Sequence, residues 1–202
     1  MPNNAVRRAE EVLLFARNFV RHPRMLGSII PSSRFLVKGL LEPVDWNRAR
    51  VVVEYGPGIG NITAEILRRM RPDATLVAIE TNEDFVRFLR STFRDPRLHV
   101  AHDSAANTDQ ILRQLGIEKA DYVISGVPFS TMPRDVRERI LRTTRSVLAP
   151  DGRFLLYQFS SRVLPDLKRF FRTVERGFEP LNILPAQLFF CGAGGENAQA
   201  TH

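Results

Sequence analysis

The run Val51-Val52-Val53-Glu54-Tyr55-Gly56-Pro57-Gly58-Ile59-Gly60-Asn61 constrains the fold more than any other part of the chain. Its β-prone residues in unbroken succession form a strand buried on both faces, as in a parallel sheet covered by helices. Three alternate glycines then let the backbone turn tightly and come close to a ligand with no Cβ in the way. The next residues are helical, with Ile62, Ile66 and Leu67 on one face and Arg68 and Arg69 near the end. Strand, glycine turn and helix in this order fit a cofactor site, although a similar turn also serves to pack a helix closely on a sheet.

Glu54 narrows the choice of ligand. A carboxylate at the strand tip repels a pyrophosphate and attracts an ammonium group. The G-x-G-x-G spacing also lacks the last glycine of the dinucleotide pattern. The segment resembles motif I of the class I S-adenosylmethionine-dependent methyltransferases, in which the glycine turn packs against the methionine part of the cofactor. A nicotinamide site and a purely structural turn are the alternatives.

The following strands extend this reading. Ala74 to Ile79 is an apolar run ending in Glu80, with Thr81-Asn82 before a helix. A carboxylate at the end of a second strand can accept both ribose hydroxyls, a chemistry shared with dinucleotide enzymes, and it can equally cap a helix. Leu98 to Ala101 leads into His102-Asp103-Ser104. By the resemblance, Asp103 stands beside the adenine amino group. The cofactor set it implies is Glu54, Tyr55, Gly56, Gly58, Gly60, Glu80, Thr81, Asp103, Ser104 and Ser125, and the cofactor is S-adenosyl-L-methionine, leaving S-adenosyl-L-homocysteine as product.

At 202 residues the chain is long enough for one α/β domain with a sizeable core. Strand and helix keep alternating: Asp121 to Ser125 as a strand, Arg134 to Leu148 as a helix, Gly152 to Phe159 as a strand. Such alternation predicts a doubly wound, mostly parallel sheet. Arg169 to Arg176 and Gln187 to Cys191 read as a closing strand pair, while Leu164 to Phe171 reads equally well as helix. One domain over residues 1–192 is expected, with residues 1–46 as N-terminal lid or membrane-docking helices, 47–192 as the core, and 193–202 as a flexible tail. Cys191 is the single cysteine and sits between apolar neighbours, so it reads as a core thiol. His22, His99 and His102 lack metal-ligand spacing, and no metal site is expected. With no apolar run of membrane-spanning length and no signal-peptide core, a cytoplasmic protein with peripheral membrane contact is expected.

Charge is unevenly spread. Residues 1–50 carry nine Arg or Lys against four Asp or Glu, which is +5 of the total +7. Between Val6 and Arg21, Val6, Ala9, Val12, Leu13, Ala16, Phe19 and Val20 gather on one helical face, opposite Arg7, Glu10, Glu11, Arg17, Asn18 and Arg21. A basic amphipathic helix of this kind either lies on an anionic membrane, through residues 5–24, or covers the cofactor pocket as a lid.

The tip of the fourth strand, Ser125-Gly126-Val127-Pro128-Phe129-Ser130, bears on the acceptor. It is similar to the Asn/Asp-x-Pro-Tyr/Phe tip of adenine N-methyltransferases, but serine replaces the amide, which argues against adenine. Together with His22-Pro23-Arg24-Met25-Leu26-Gly27-Ser28-Ile29-Ile30-Pro31-Ser32-Ser33-Arg34-Phe35-Leu36 and the glycine turn, it makes the chain resemble the bacterial phospholipid N-methyltransferases, relatives of the rRNA adenine dimethyltransferases. That resemblance implies a Rossmann-like seven-stranded sheet with helices on both faces, and methylation of phosphatidylethanolamine and its methylated derivatives. Ser125, Gly126, Pro128, Phe129 and Tyr157 become the catalytic candidates; both aromatics also suit a core. Arg34, with Ser33 and Lys38, is the candidate partner of the lipid phosphate. RNA adenine methylation, another small-molecule or protein acceptor, and a cofactor-binding lipid-surface protein without catalysis are the alternatives.

Overall fold

The computed structural model describes residues 33–182 and 184–194. Seven strands form one sheet, built from β1 (Val51–Tyr55), β2 (Thr75–Glu80), β3 (Leu98–His102), β4 (Ala120–Ser125), β5 (Leu148–Gln158), β6 (Thr173–Glu179) and β7 (Ala186–Gly192). Their spatial order is β3-β2-β1-β4-β5-β7-β6. The first five pair in parallel, and β7 runs antiparallel to both β5 and β6. The order reverses between β1 and β4, so the crevice beyond their carboxyl ends is where an open α/β sheet binds its ligand. The Rossmann-like, mostly parallel sheet expected from the sequence is the one observed.

Helices cover both faces. Among the described residues they are α1 (Arg34–Leu41), α2 (Asn61–Arg69), α3 (Glu83–Thr92), α4 (Thr108–Gln114), α5 (Arg134–Val147) and α6 (Leu164–Phe170). On one face Val52, Leu76, Ile124 and Leu155 meet Leu36 and Leu40 of α1 and Ile62 and Ile66 of α2. On the other, Val53, Val77, Val123 and Phe154 meet Leu112 of α4, Leu141 of α5 and Leu167 of α6. This division follows from strand alternation, since successive residues of β1 point to opposite faces. Each fully buried leucine contributes about 1.5–3 kcal/mol.

Of the two readings for Leu164 to Phe171, the helix is correct: Leu167 plugs the core from one turn of α6, and the closing strand starts only at Thr173. Cys191 is buried in β7, and burial pushes its thiol up to about 12. It is a packing residue. The amphipathic helix expected within residues 5–24 lies outside the described residues, as does most of the expected tail at 193–202. Among the described residues no helix is long and apolar enough to cross a membrane, and no cluster of His, Cys, Asp and Glu is arranged to hold a metal ion.

Candidate active site

The glycine turn leaves β1 through Gly56 and Gly58, whose φ angles are 65° and 56°. These left-handed angles are what glycine permits and side chains resist. The turn is held on both sides. Gly56 N–H donates to Ile79 O at 3.0 Å. Gly58 N–H donates to Glu80 Oε2 at 3.2 Å, and the other oxygen of Glu80 accepts from Asn82 N at 2.9 Å. Gly60 starts α2, with the Phe93 ring so near that a Cβ would collide.

A cavity of about 260 Å³ opens beside this turn. Glu80, Thr81, Asp103 and Ser104 supply its polar wall; Ile79, Phe85, Ala105, Met132, Val136 and Ile140 supply an apolar slot. Gly56, Gly58, Gly126, Val127 and Pro128 bring backbone to its edge. Asp103 is fixed through Oδ1, which accepts from Ser104 N at 2.6 Å and Asn107 Nδ2 at 2.8 Å. An apolar slot rimmed by one carboxylate suits an adenine, and a second carboxylate at the end of β2 suits ribose hydroxyls. Sequence reasoning missed the slot. Val136 and Ile140 share a face of α5 at i, i+4 spacing, which marks a buried stripe without saying that a ligand covers part of it.

Glu54 lies beneath the turn rather than on the cavity wall. It is fully buried: Oε2 accepts the Thr63 hydroxyl at 2.6 Å, and Oε1 has no hydrogen-bond partner among the described residues. Burial, opposed by Thr63 and reinforced by the neighbouring Glu80, raises its pKa to about 8. Burial likewise raises that of Glu80. The carboxylate that the sequence suggests is therefore largely protonated at neutral pH until a cation compensates it.

Several predicted residues sit elsewhere. The Tyr55 side chain is in the core, its hydroxyl 2.9 Å from Thr108 Oγ1 and 3.2 Å from Thr144 Oγ1. The Phe129 ring is also wholly buried, edge-on to Phe154 at 6.0 Å, and so cannot stack on an acceptor in this arrangement. Ser125 is buried, with Oγ accepting from Val127 N at 3.3 Å, so it shapes the loop and does not face the cavity. Gly126 and Pro128 do line the cavity. Tyr157 is mostly buried on the opposite sheet face, yet its hydroxyl reaches Gly126: a Cβ there would lie 3.5 Å from it. His102 is exposed, its Nε2 3.1 Å from Thr81 O.

Gln158, which sequence reasoning passed over, clamps the same loop. Its Nε2 donates to Val127 O at 2.8 Å, and Oε1 accepts from Ser130 N at 3.4 Å. A buried amide at the last position of β5 can bridge to the tip of β4 only because the two strands are neighbours, and topology of that kind is not written in local sequence.

The candidate phosphate residues are grouped by α1. Ser33 caps this helix by accepting from Leu36 N at 3.1 Å. Arg34 and Lys38 line a second cavity of about 540 Å³ between α1 and α2, with Phe35, Val37, Asn61, Glu65 and Arg69. Glu65 engages Arg68 and Arg69, which hold its carboxyl down at about 2. Neither Arg34 nor Lys38 has a carboxylate partner among the described residues. Since Asn61 directly follows Gly60, this basic cavity begins at the far side of the glycine turn.

Fold and cavity define a nucleoside-cofactor-binding α/β domain. Residues 27–179 match the Methyltransferase small domain family, and the chain belongs to it. The ornithine lipid N-methyltransferase of Singulisphaera acidiphila is 36% identical over 184 residues, covering 90% of this chain and 96% of that protein. The ribosomal RNA small subunit methyltransferase A of Mycoplasma capricolum is 31% identical over 98 residues, 46% of this chain and 35% of that one. Among solved structures, a Burkholderia thailandensis 1,6-didemethyltoxoflavin-N1-methyltransferase with bound S-adenosylhomocysteine superposes with a TM-score of 0.60 at 17% identity, covering 94% of this chain and 88% of its own. Human methyltransferase-like protein 13 in complex with the same product gives 0.59 at 18% identity, covering 90% and 85%.

The protein is an S-adenosylmethionine-dependent methyltransferase, with S-adenosylhomocysteine as product. The residues present fit that cofactor. It carries ammonium and sulfonium charges, and here a buried carboxyl oxygen of Glu54 is without a partner among the described residues while Glu80 and Asp103 face the cavity. A cationic group near two buried acids lowers their pKa values and makes the charged forms favourable.

Proposed function

We propose that the protein transfers a methyl group from S-adenosylmethionine to the amine of a membrane lipid headgroup. The supporting observation is the basic cavity beside the glycine turn, where Arg34 and Lys38 offer cations to an anionic headgroup. The likeness to an ornithine lipid N-methyltransferase over nearly its whole length supports a lipid acceptor. Phosphatidylethanolamine and its methylated derivatives are the acceptors that the resemblance in the sequence implies. The relative favours a second headgroup, ornithine, which also joins an amine to an anion; arginine recognises a carboxylate as it does a phosphate.

S-Adenosylmethionine supplies an electrophilic methyl on sulfur. The protein's task is to hold a neutral amine in line with it, since a protonated amine has no lone pair. In this reading Glu80 and Asp103 fix the nucleoside and Glu54 compensates its ammonium group. Gly126 and Pro128 present backbone at the cavity edge, and Gln158 keeps that loop in shape. Tyr157, with its hydroxyl beside Gly126, positions the amine. Arg34, Lys38 and Ser33 secure the anionic part of the headgroup. The reaction takes place at the membrane surface, reached from the cytoplasmic side.

The test is methyl transfer from labelled cofactor with phosphatidylethanolamine vesicles, ornithine lipid vesicles and ribosomal RNA offered as competing acceptors. Label in either lipid, absent when the headgroup amine is acetylated, supports the proposal. Label in RNA, the acceptor class of the partly similar ribosomal RNA methyltransferase, overturns it.

A further inference from the structure

The turn between β6 and β7 carries large apolar side chains in open solvent. Leu181 is 62% exposed and Leu184 is 45% exposed, with Phe178 at 57% just before the turn. Nothing in the cofactor chemistry uses them. Ordinary surface turns are polar, so leucines held outward at such a tip mark a contact surface.

Their place in the fold gives that surface a direction. Glu179 pairs with Ala186 and Gln158 with Gln187, so the turn stands beyond the carboxyl end of β5, at the same end of the sheet as the cofactor cavity. Hydrogen bonds hold its described residues. Leu181 N donates to Glu179 Oε1 at 2.7 Å, Asn182 Nδ2 donates to Leu184 O at 2.9 Å, and Ser33 N donates to Asn182 Oδ1 at 3.0 Å. The last bond fastens the turn to the start of α1, where Arg34 and Lys38 are exposed and the Arg34 guanidinium lies 4.8 Å from the centre of the Phe35 ring.

We infer that the β6–β7 turn is a membrane-docking element, inserting Leu181 and Leu184 into an anionic phospholipid bilayer while Arg34 and Lys38 meet the headgroups. Outward leucines flanked by exposed cations have the composition of an interfacial contact. The sequence outside the described residues has the matching composition, since residues 6–21 are basic and amphipathic and the described chain that follows begins at Ser33, which is bonded to the turn itself. The inference rests on the lipid reading above and adds the route by which the cavity reaches its substrate.

Leu181→Trp provides the test, because the chain has one tryptophan, Trp46, just upstream of β1 at the opposite end of the sheet. On adding vesicles of phosphatidylglycerol and phosphatidylcholine, the fluorescence that L181W adds should shift to the blue and be quenched by brominated acyl chains, while Trp46 stays unquenched. Leu181→Asp with Leu184→Asp should weaken vesicle binding on the order of a hundredfold. It should lower turnover of vesicle lipid in parallel and leave turnover of a dispersed short-chain lipid unchanged. Unshifted, unquenched emission from the indole that L181W introduces overturns the inference, as does unaltered vesicle binding of the aspartate variant. A wild-type dimer that the aspartates dissociate, with vesicle binding retained, assigns the turn to a second copy and also overturns it. Fluorescence requires no turnover, so failure of lipid methylation and failure of docking are told apart.

Discussion

Gly58 donates its backbone N–H to Glu80 Oε2 at 3.2 Å, so the turn after β1 is fastened to the acid that ends β2. One carboxylate thus shapes the loop and faces the cofactor cavity. Glu80→Ala should weaken S-adenosylmethionine binding by roughly a hundredfold, since hydrogen bonds to a charged group contribute about 1.5–3 kcal/mol. Calorimetric titration measures this, and wild-type affinity in the variant would remove Glu80 from the site.

Gly56 faces a different restriction. A Cβ there would stand 2.7 Å from Val127 Cγ1, at a φ of 65°. Gly56→Ala should therefore cost about 1–3 kcal/mol in denaturant unfolding and should displace the Val127 loop that borders the cavity. The double variant with Val127→Ala should regain the steric part and keep the backbone strain. Equal stabilities for the two variants would show that the collision is relieved elsewhere.

Glu54 gives a pH dependence whose sign is fixed by its burial. Its pKa lies at about 8 in the folded protein against an ordinary 4.5. Over that window the folded state holds a proton that the unfolded chain has released, so stability is fully present below the lower value and is lost as pH rises through the higher. Glu54→Gln should flatten the decline between pH 4.5 and pH 8. Denaturant midpoints across that range for both proteins decide it; parallel slopes would mean that Glu54 ionises normally. Bound cofactor should reduce the wild-type decline, because its cation favours the carboxylate.

That several candidate residues would meet at one cavity was legible in the sequence, and the reason is local. Gly56, Gly58, Glu80 and Asp103 each lie at the carboxyl end of a strand that its own residues define, so their meeting follows once the strands are parallel neighbours. Side-chain direction was less legible. Tyr55 and Phe129 have the residue type for a ligand contact, but strand alternation and the single 3-10 turn at Phe129–Thr131 point both into the Phe154 core. Gln158 and the α5 side of the slot depend on which elements become neighbours, and nothing nearby in sequence signals that.

Gln158 bridges Val127 O and Ser130 N, and both would lose a partner in Gln158→Leu. Stability in denaturant unfolding should fall by about 1–3 kcal/mol, and initial rates should fall because the β4 tip loses its fixed shape. Unchanged rates in a folded variant would separate the clamp from turnover.

Arg34 is exposed and has no carboxylate partner among the described residues, so its removal leaves little unsatisfied within the protein. Arg34→Ala should raise KM for the lipid by about tenfold, the scale of one charge-assisted contact. Cofactor affinity should be unchanged. Equal lipid kinetics on anionic vesicles would take Arg34 out of substrate recognition.

Tandem mass spectrometry of membrane lipid incubated with the protein and S-adenosylmethionine carrying a deuterated methyl reads lipid N-methylation directly. A headgroup fragment with the deuterated methyl on its amine nitrogen is the predicted result. A label confined to adenine of added ribosomal RNA, with every lipid headgroup unlabelled, would contradict it.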